Sequence, residues 1–254
     1  MILHIPHSSR VIPAEDRARL CLPDTELDQE LLMMTDAWTG ELFPEIAFEL
    51  RRVIFPVSRL VCDPERFVCD EDEPMSRMGM GAVYTHTSHG LRLREKLWPG
   101  ERERVLDRWY RPHHALLTLA VNDSLNRFGR ALVVDCHSFP SKPLPYEQFQ
   151  AQERPDICIG TESFHTPADL LETVIAAVRR EGWTAHVNSP FPGVLVPISH
   201  FRRDGRVRAL MIEVNRALYM DESTGDRSPR FALVRDGLGR VLHSLCERAD
   251  PHPS

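Results

Sequence analysis

Two histidines and two carboxylates carry the first chemical signal. His137 sits in Asp135-Cys136-His137-Ser138-Phe139, just past the β-branched run Ala131 to Asp135. His7 sits in Pro6-His7-Ser8-Ser9, a rigid turn after the apolar run Ile2 to Ile5. Neutral imidazole is a common metal ligand, so strand-end histidines suit a zinc site. Each taken alone also fits a hydrogen-bonded structural histidine. His4 lies three positions before His7, and strand parity turns it to the opposite side, so the loop position selects His7.

A catalytic zinc takes three protein ligands and keeps one position open. The third ligand is read as Asp36, in Met34-Thr35-Asp36-Ala37-Trp38, with Asp63 and Asp135 as competitors. An unpaired carboxylate among those apolar neighbours is costly to bury. The alternative for Asp36 is an exposed helix residue. Glu213 is embedded in Leu210-Met211-Ile212-Glu213-Val214, where a carboxylate needs a partner or a task. A general base in metal-assisted hydrolysis is such a task, and a buried salt bridge is the alternative.

Arg59 and Arg66 flank Asp63, and arginine grips carboxylates in a bidentate fork. Two in one loop suit a carboxylate-bearing substrate, against the plainer reading of ion pairs to Asp63 and Glu65. Ser138, beside His137, is taken as a further substrate contact. Other features carry less. Gly79-Met80-Gly81 lacks the third glycine of a dinucleotide fingerprint, and no G-x-S-x-G elbow, H-E-x-x-H helix or phosphate-binding loop occurs. His86 and His89 are expected mostly in solvent, and His113 and His114 on the surface of a charged helix. Met75, Met78 and Met80 suit either a mobile lid or plain loop packing.

The elements that must position these groups follow from periodicity. Strands are expected at Ile2 to Ile5, Val53 to Val57, Ala131 to Asp135, Asp156 to Gly160, Thr184 to Asn188 and Arg208 to Val214. Asp24 caps a helix from Thr25 to Glu49, with a break or kink at Pro44. Further helices are expected at Glu101 to Phe128, divided near Pro112 and closed by Gly129, from Thr166 to Gly182, and after Ser228-Pro229. Residues 62–90 read as a long functional loop. Alternating strands and helices imply an α/β fold, a single domain with a mostly parallel mixed sheet and helices on both faces. The domain is expected over residues 1–249, with a frayed tail at 250–254. Ligands in such sheets bind beyond the C-terminal strand ends, where His7, Arg59 with Asp63, His137 with Ser138, and Glu213 all fall.

Composition narrows the class. A net charge of −6 argues against a nucleic-acid partner. No stretch reaches the roughly 18 apolar residues of a membrane span. The N-terminus shows no basic segment before a long apolar run, so no signal peptide is expected. Six scattered cysteines without a C-x-x-C pair suit a reducing cytoplasm.

Several short motifs in order carry a family resemblance. They are His4-Ile5-Pro6-His7-Ser8-Ser9, Asp36-Ala37-Trp38-Thr39, Ser58-Arg59-Leu60-Val61-Cys62-Asp63, Glu65-Arg66-Phe67, Gly79-Met80-Gly81 with Tyr84, Asp135-Cys136-His137-Ser138-Phe139, Ile212-Glu213-Val214-Asn215-Arg216 and Leu218-Tyr219-Met220. From about His4 to Tyr219 the chain resembles the N-formylglutamate amidohydrolase family. The resemblance implies a zinc-dependent exopeptidase-like fold and hydrolysis of N-formyl-L-glutamate to formate and L-glutamate, the last step of one histidine-degradation route. It also implies His137 as a zinc ligand and Glu213 as general base. The wider superfamily pairs its first histidine with a glutamate three positions on, whereas position 10 here is Arg10. Relatives sharing these motifs include deacylases of other N-acyl amino acids or small peptides, and a non-catalytic binding protein of the same fold is a third reading. The implied partner is a small dicarboxylate N-acyl amino acid, and the implied cofactor is Zn2+ or another divalent ion.

Overall fold

The computed structural model describes residues 1–249 apart from 96, 98 and 152. The expected frayed tail at 250–254 lies outside the described residues. Six strands form one sheet: β1 (Ile2–Ile5), β2 (Arg51–Ile54), β3 (Ala131–Phe139), β4 (Ile157–Gly160), β5 (Ala185–Val187) and β6 (Val207–Asn215). Their order is β2-β1-β3-β6-β4-β5. The first four in that order run parallel, while β4 pairs antiparallel with β6 and parallel with β5. The α/β fold with a mixed sheet is therefore as expected.

Helices are α1 (Ala14–Arg17), α2 (Asp24–Met34), α3 (Thr39–Leu42), α4 (Pro99–Val105), α5 (Arg111–Phe128), α6 (Ala168–Arg180) and α7 (Phe231–Ala249). Helical spacing decides which sides they bury. In α7, Phe231, Val234, Leu238, Val241, Leu242 and Leu245 fall on one stripe, and in α6 so do Leu170, Val174, Ala177 and Val178. Both stripes join one core with Leu132, Val134, Leu210, Ile212 and Val214, the even-numbered side of β3 and β6. On the other side, Leu117, Ala120, Val121 and Leu125 of α5 pack with Ile2, Val133, Val207 and Ala209.

That second side changes character along the strands. Ala131 and Val133 belong to the core under α5, and the next residues with the same parity are Asp135 and His137. The parallel register sets His4 beside Asp135 and Glu213 beside His137. One face of the sheet is thus apolar at one end and ionisable at the other.

Three local expectations change. The helix expected over Thr25 to Glu49 stops at Met34, because Thr35 turns extended and the Asp36 N–H donates to His7 O at 2.9 Å. Tertiary bonds to Asp36 outweigh the helical period. The stretch Glu101 to Phe128 is divided by a five-residue π turn, Leu106–Tyr110, before Pro112. Gly129 closes α5 in the left-handed conformation, as expected (φ 69°). Residues 62–90 form the expected long connection, with a short 3-10 turn at Pro74–Met78, yet Cys62, Asp63, Met80 and Tyr84 within it are buried. Met80 packs in a core cluster while Met78 is exposed.

The segment 188–196 passes tightly over the sheet. A side chain on Gly160 of β4 would meet Gly193 O at 2.1 Å. Among the described residues, no helix is long and apolar enough to cross a membrane.

Leu238 is fully buried between α7 and the sheet. Leu238→Ala is expected to cost roughly 2–5 kcal/mol, lowering Tm by roughly 5–15 °C in a domain of this size. Thermal unfolding followed by circular dichroism checks this, and a shift under about 2 °C would contradict the packing of α7.

Candidate active site

The ionisable end of the sheet collects side chains from three strands and three loops. His4 comes from β1, Asp135 and His137 from β3, and Glu213 from β6. His7 follows β1, Asp36 follows α2, and Arg59, Asp63, Glu65 and Arg66 follow β2. The strand-end rule therefore brings all four anticipated places together. Pro64 lies between Asp63 and Glu65, and both carboxylates turn toward His7.

His7 is hydrogen-bonded to one carboxylate and His137 to two. His7 Nε2 lies 2.9 Å from Asp63 Oδ1, and His137 Nδ1 lies 3.0 Å from Asp36 Oδ2. A carboxylate only accepts, so those nitrogens carry the hydrogens. That leaves His7 Nδ1 and, beside Asp135 Oδ1 at 3.1 Å, His137 Nε2. Both face Glu65: its Oε2 is 3.8 Å from His7 Nδ1 and 3.1 Å from His137 Nε2. Donor atoms of His7, Glu65 and His137 all lie within 4.8 Å of one another, a grouping able to hold a metal ion. His7 Nδ1 and Glu65 Oε1 are buried without a hydrogen-bond partner. Such orphaned atoms are rare unless something else satisfies them.

Asp36, the expected third ligand, lies against both histidines. Its Oδ2 approaches His137 Nδ1 and lies 3.7 Å from His7 Nδ1, while Arg216 Nη2 donates to its Oδ1 at 3.0 Å. Among the described residues it belongs to neither grouping able to hold a metal. Asp36 hydrogen-bonds to the His137 imidazole, and Glu65 is the carboxylate grouped with both histidines. Sequence reasoning missed Glu65 by treating it as an ion-pair partner of arginine. The Asp-Pro-Glu-Arg turn after a strand was the available signal.

Parity also misled on His4. The strand ends at Ile5, so alternation no longer governs His7, and both histidines reach the cluster. His4 Nδ1 donates to Asp135 Oδ1 at 2.7 Å, and His4 Nε2 lies 2.8 Å from His113 Nε2. His113 is therefore no surface residue: it is buried at 3% exposure. Burial, with His4 second, pushes its pKa down to about 2. The second grouping able to hold a metal is His4, Glu65 and Asp135, but the 2.7 Å hydrogen bond already occupies that pair. Leu195 N donates to the other oxygen of Asp135 at 3.1 Å.

Charge is dense and opposed. Burial raises carboxyl pKa values, but at Asp63 the guanidinium of Arg59 and then His7 overcome it and hold the group well below its usual range. At Asp36 the hydrogen bond from His137 and the nearby His7 do the same, and at Asp135 the neighbours are His137 and His4. Glu213 is the exception. Burial pushes it up to about 8, against the pull of His137, and Asp36 and Glu65 add to the rise. Its Oε2 is buried and unpartnered. Five carboxyls (Asp36, Asp63, Glu65, Asp135, Glu213) face three guanidiniums (Arg59, Arg66, Arg216).

Arg59 donates through Nε and Nη2 to Asp63 Oδ2, and Tyr84 Oη donates to the same oxygen at 2.6 Å. Arg66 lies 3.8 Å from it. Ser138, expected to touch substrate, instead accepts from Arg216 Nε at 3.2 Å. It projects from the opposite side of β3 to His137, so its hydroxyl braces Arg216. His86 is half-buried and His89 exposed, away from the cluster.

Comparison with known proteins places this arrangement. The model for N-formylglutamate amidohydrolase matches residues 1–220. Among solved structures, the chain is similar to N-formylglutamate amidohydrolase from Ralstonia eutropha JMP134, at 25% identity and a TM-score of 0.79 over 98% of this chain and 92% of that one. It shares its fold with the gene product Atu2144 from Agrobacterium tumefaciens, at 20% identity and a TM-score of 0.66 over 96% and 90% of the two chains. Comparison with curated proteins gives no match. With the match spanning the strands and every loop that feeds the site, the chain belongs to the N-formylglutamate amidohydrolase family.

Proposed function

We propose that this protein is a metal-dependent amidohydrolase that cleaves N-formyl-L-glutamate to formate and L-glutamate, a cytoplasmic step of histidine degradation. The observation that carries the reading is the convergence of His7 Nδ1, Glu65 and His137 Nε2, with Glu213 next to His137 in the strand register. The orphaned His7 Nδ1 and Glu65 Oε1 fit a divalent ion held by those three residues. Histidine and carboxylate ligands suit zinc, with Asp63 and Asp36 orienting the imidazoles. Bound there, the ion would polarise the formyl carbonyl and lower the pKa of an attacking water.

The chain's own groups supply the rest. Glu213 Oε2, unpartnered and aimed into the cluster, takes a proton from the attacking water and hands it to the amide nitrogen as the C–N bond breaks. Burial sustains this role, because a desolvated carboxylate is a stronger base than an exposed one. Arg59 and Arg66 share the single carboxylate of Asp63, so positive charge remains for the carboxylates of the substrate. His4 and the Leu195 N–H hold Asp135 beside His137 and keep it from swinging.

Purified protein loaded with zinc is expected to release glutamate from N-formyl-L-glutamate, with release abolished by chelation and restored by metal. Release that persists after chelation would remove the metal from the mechanism. A well-folded, metal-loaded protein with no release would move the activity to another N-acyl amino acid.

Two variants separate the roles. Glu213→Gln should keep its bound metal while kcat falls roughly 10²–10⁴-fold. Loss of metal, or full activity, would defeat the assignment. Asp36→Asn should weaken metal affinity by about 10–100-fold, and Glu65→Gln should weaken it more. Metal titration in a competing chelator reads both, and an Asp36 variant that loses more affinity than the Glu65 variant would return Asp36 to the ligand set.

A further inference from the structure

Arg59 and Arg66 carry more hydrogen-bond donors than the protein uses. Arg59 commits Nε and Nη2 to Asp63, and Arg66 commits Nε to Met80 O at 3.3 Å. Among the described residues, Arg59 Nη1 and both terminal nitrogens of Arg66 make no hydrogen bond, and none is sealed from water. The side chains are nonetheless only 11% and 19% exposed. Nearly buried guanidiniums with unused N–H groups mark a place for an anion.

Tyr146 enters this place from another segment. It lies in the connection that leaves the end of β3, and it packs against the cluster containing Leu60, Met80 and Tyr84. The same residues hold the arginines: Leu60 follows Arg59, Met80 O accepts from Arg66, and Tyr84 shares Asp63 with Arg59. Arg59, Glu147, Arg66 and Arg216 are the charged groups that act most on the Tyr146 phenol. Burial raises its pKa, so the hydroxyl stays a donor at neutral pH. Among the described residues this hydroxyl makes no hydrogen bond, and it too is open to water.

The phenol is held in place by its neighbours. Leu144 N donates to Glu147 Oε1 at 2.8 Å, and Arg154 pairs with Glu147 with both side chains 2% exposed. Arg154 also donates to Pro140 O at 3.0 Å and lies over the rings of Phe139 and Phe191 at 5.7 and 5.8 Å. A donor fixed in advance loses little entropy when it binds.

We propose that Tyr146 is a specificity-determining residue, donating its hydroxyl to a carboxylate of a dicarboxylic ligand that Arg59 and Arg66 also bind. The identity of that ligand as substrate rests on the hydrolase reading above; the anion site itself does not. Tyr146→Phe removes one oxygen and no internal hydrogen bond, so Tm should stay within about 1 °C. Its KM for N-formyl-L-glutamate should rise about tenfold or more, the weight of a hydrogen bond to a charged group, with kcat within about twofold. Isothermal titration with glutarate, a dicarboxylate with nothing to hydrolyse, should show the same rise in Kd. If the wild-type protein does not turn over N-formyl-L-glutamate, the reading of that substrate fails and the glutarate titration still decides Tyr146. Equal glutarate affinity in both proteins, or no glutarate binding by the wild type, overturns the proposal.

Discussion

Carboxylates crowded out of bulk water repel one another, and each must find a partner or give up its charge. Asp36, Asp63, Glu65, Asp135 and Glu213 meet at one end of this sheet, and the surrounding structure is arranged to answer that repulsion. Arg216 and His137 hold Asp36, Arg59 and His7 hold Asp63, and His4 with the Leu195 N–H holds Asp135. The partners come from β1, β3, the loop after β2, the turn after β6 and the segment over β4. Neutralising the site therefore ties together segments more than a hundred residues apart. Left without a hydrogen-bond partner near the histidine pair are His7 Nδ1, Glu65 Oε1 and Glu213 Oε2.

The same demand explains where the backbone departs from local preference. The helix before Asp36 is cut short so that its carboxylate reaches His137 and Arg216. His113 of α5, next to Pro112, is drawn inward to meet His4, and the π turn before Pro112 leads into that stretch of helix. A charged helix would otherwise present His113 to water. Local propensity loses in both places to interactions whose partners lie far away in the sequence.

Most of the fold was legible because apolar periodicity is a local property. The β3 run and the α7 stripe announce their elements without any reference to tertiary structure. The strand-end rule alone puts His7, His137 and Glu213 in one region. Less legible was which acid completes the histidine pair. Asp36, Asp63, Glu65 and Asp135 are alike by type, and only spatial register separates Glu65, which lies near His7 Nδ1 and His137 Nε2, from Asp36, which faces the Nδ1–H of His137. The neutral-looking Tyr146 gave no signal, since its neighbours arrive from residues 59, 66 and 216. Antiparallel β4 was equally invisible, because a buried strand reads the same in either direction.

The abrupt change along β3, from Val133 in the core to His137 in the site, has a consequence for motion. Strands buried on both sides open only when the whole domain opens, while loops open on their own. His137 and Glu213 are therefore anchored to the slowest-exchanging part of the molecule. Movement that admits a ligand or releases products has to come from the connections that supply His7, Glu65, Arg66 and Tyr146. The site is half fixed wall and half hinged covering, with the dividing line running between the strands and the loops that face them.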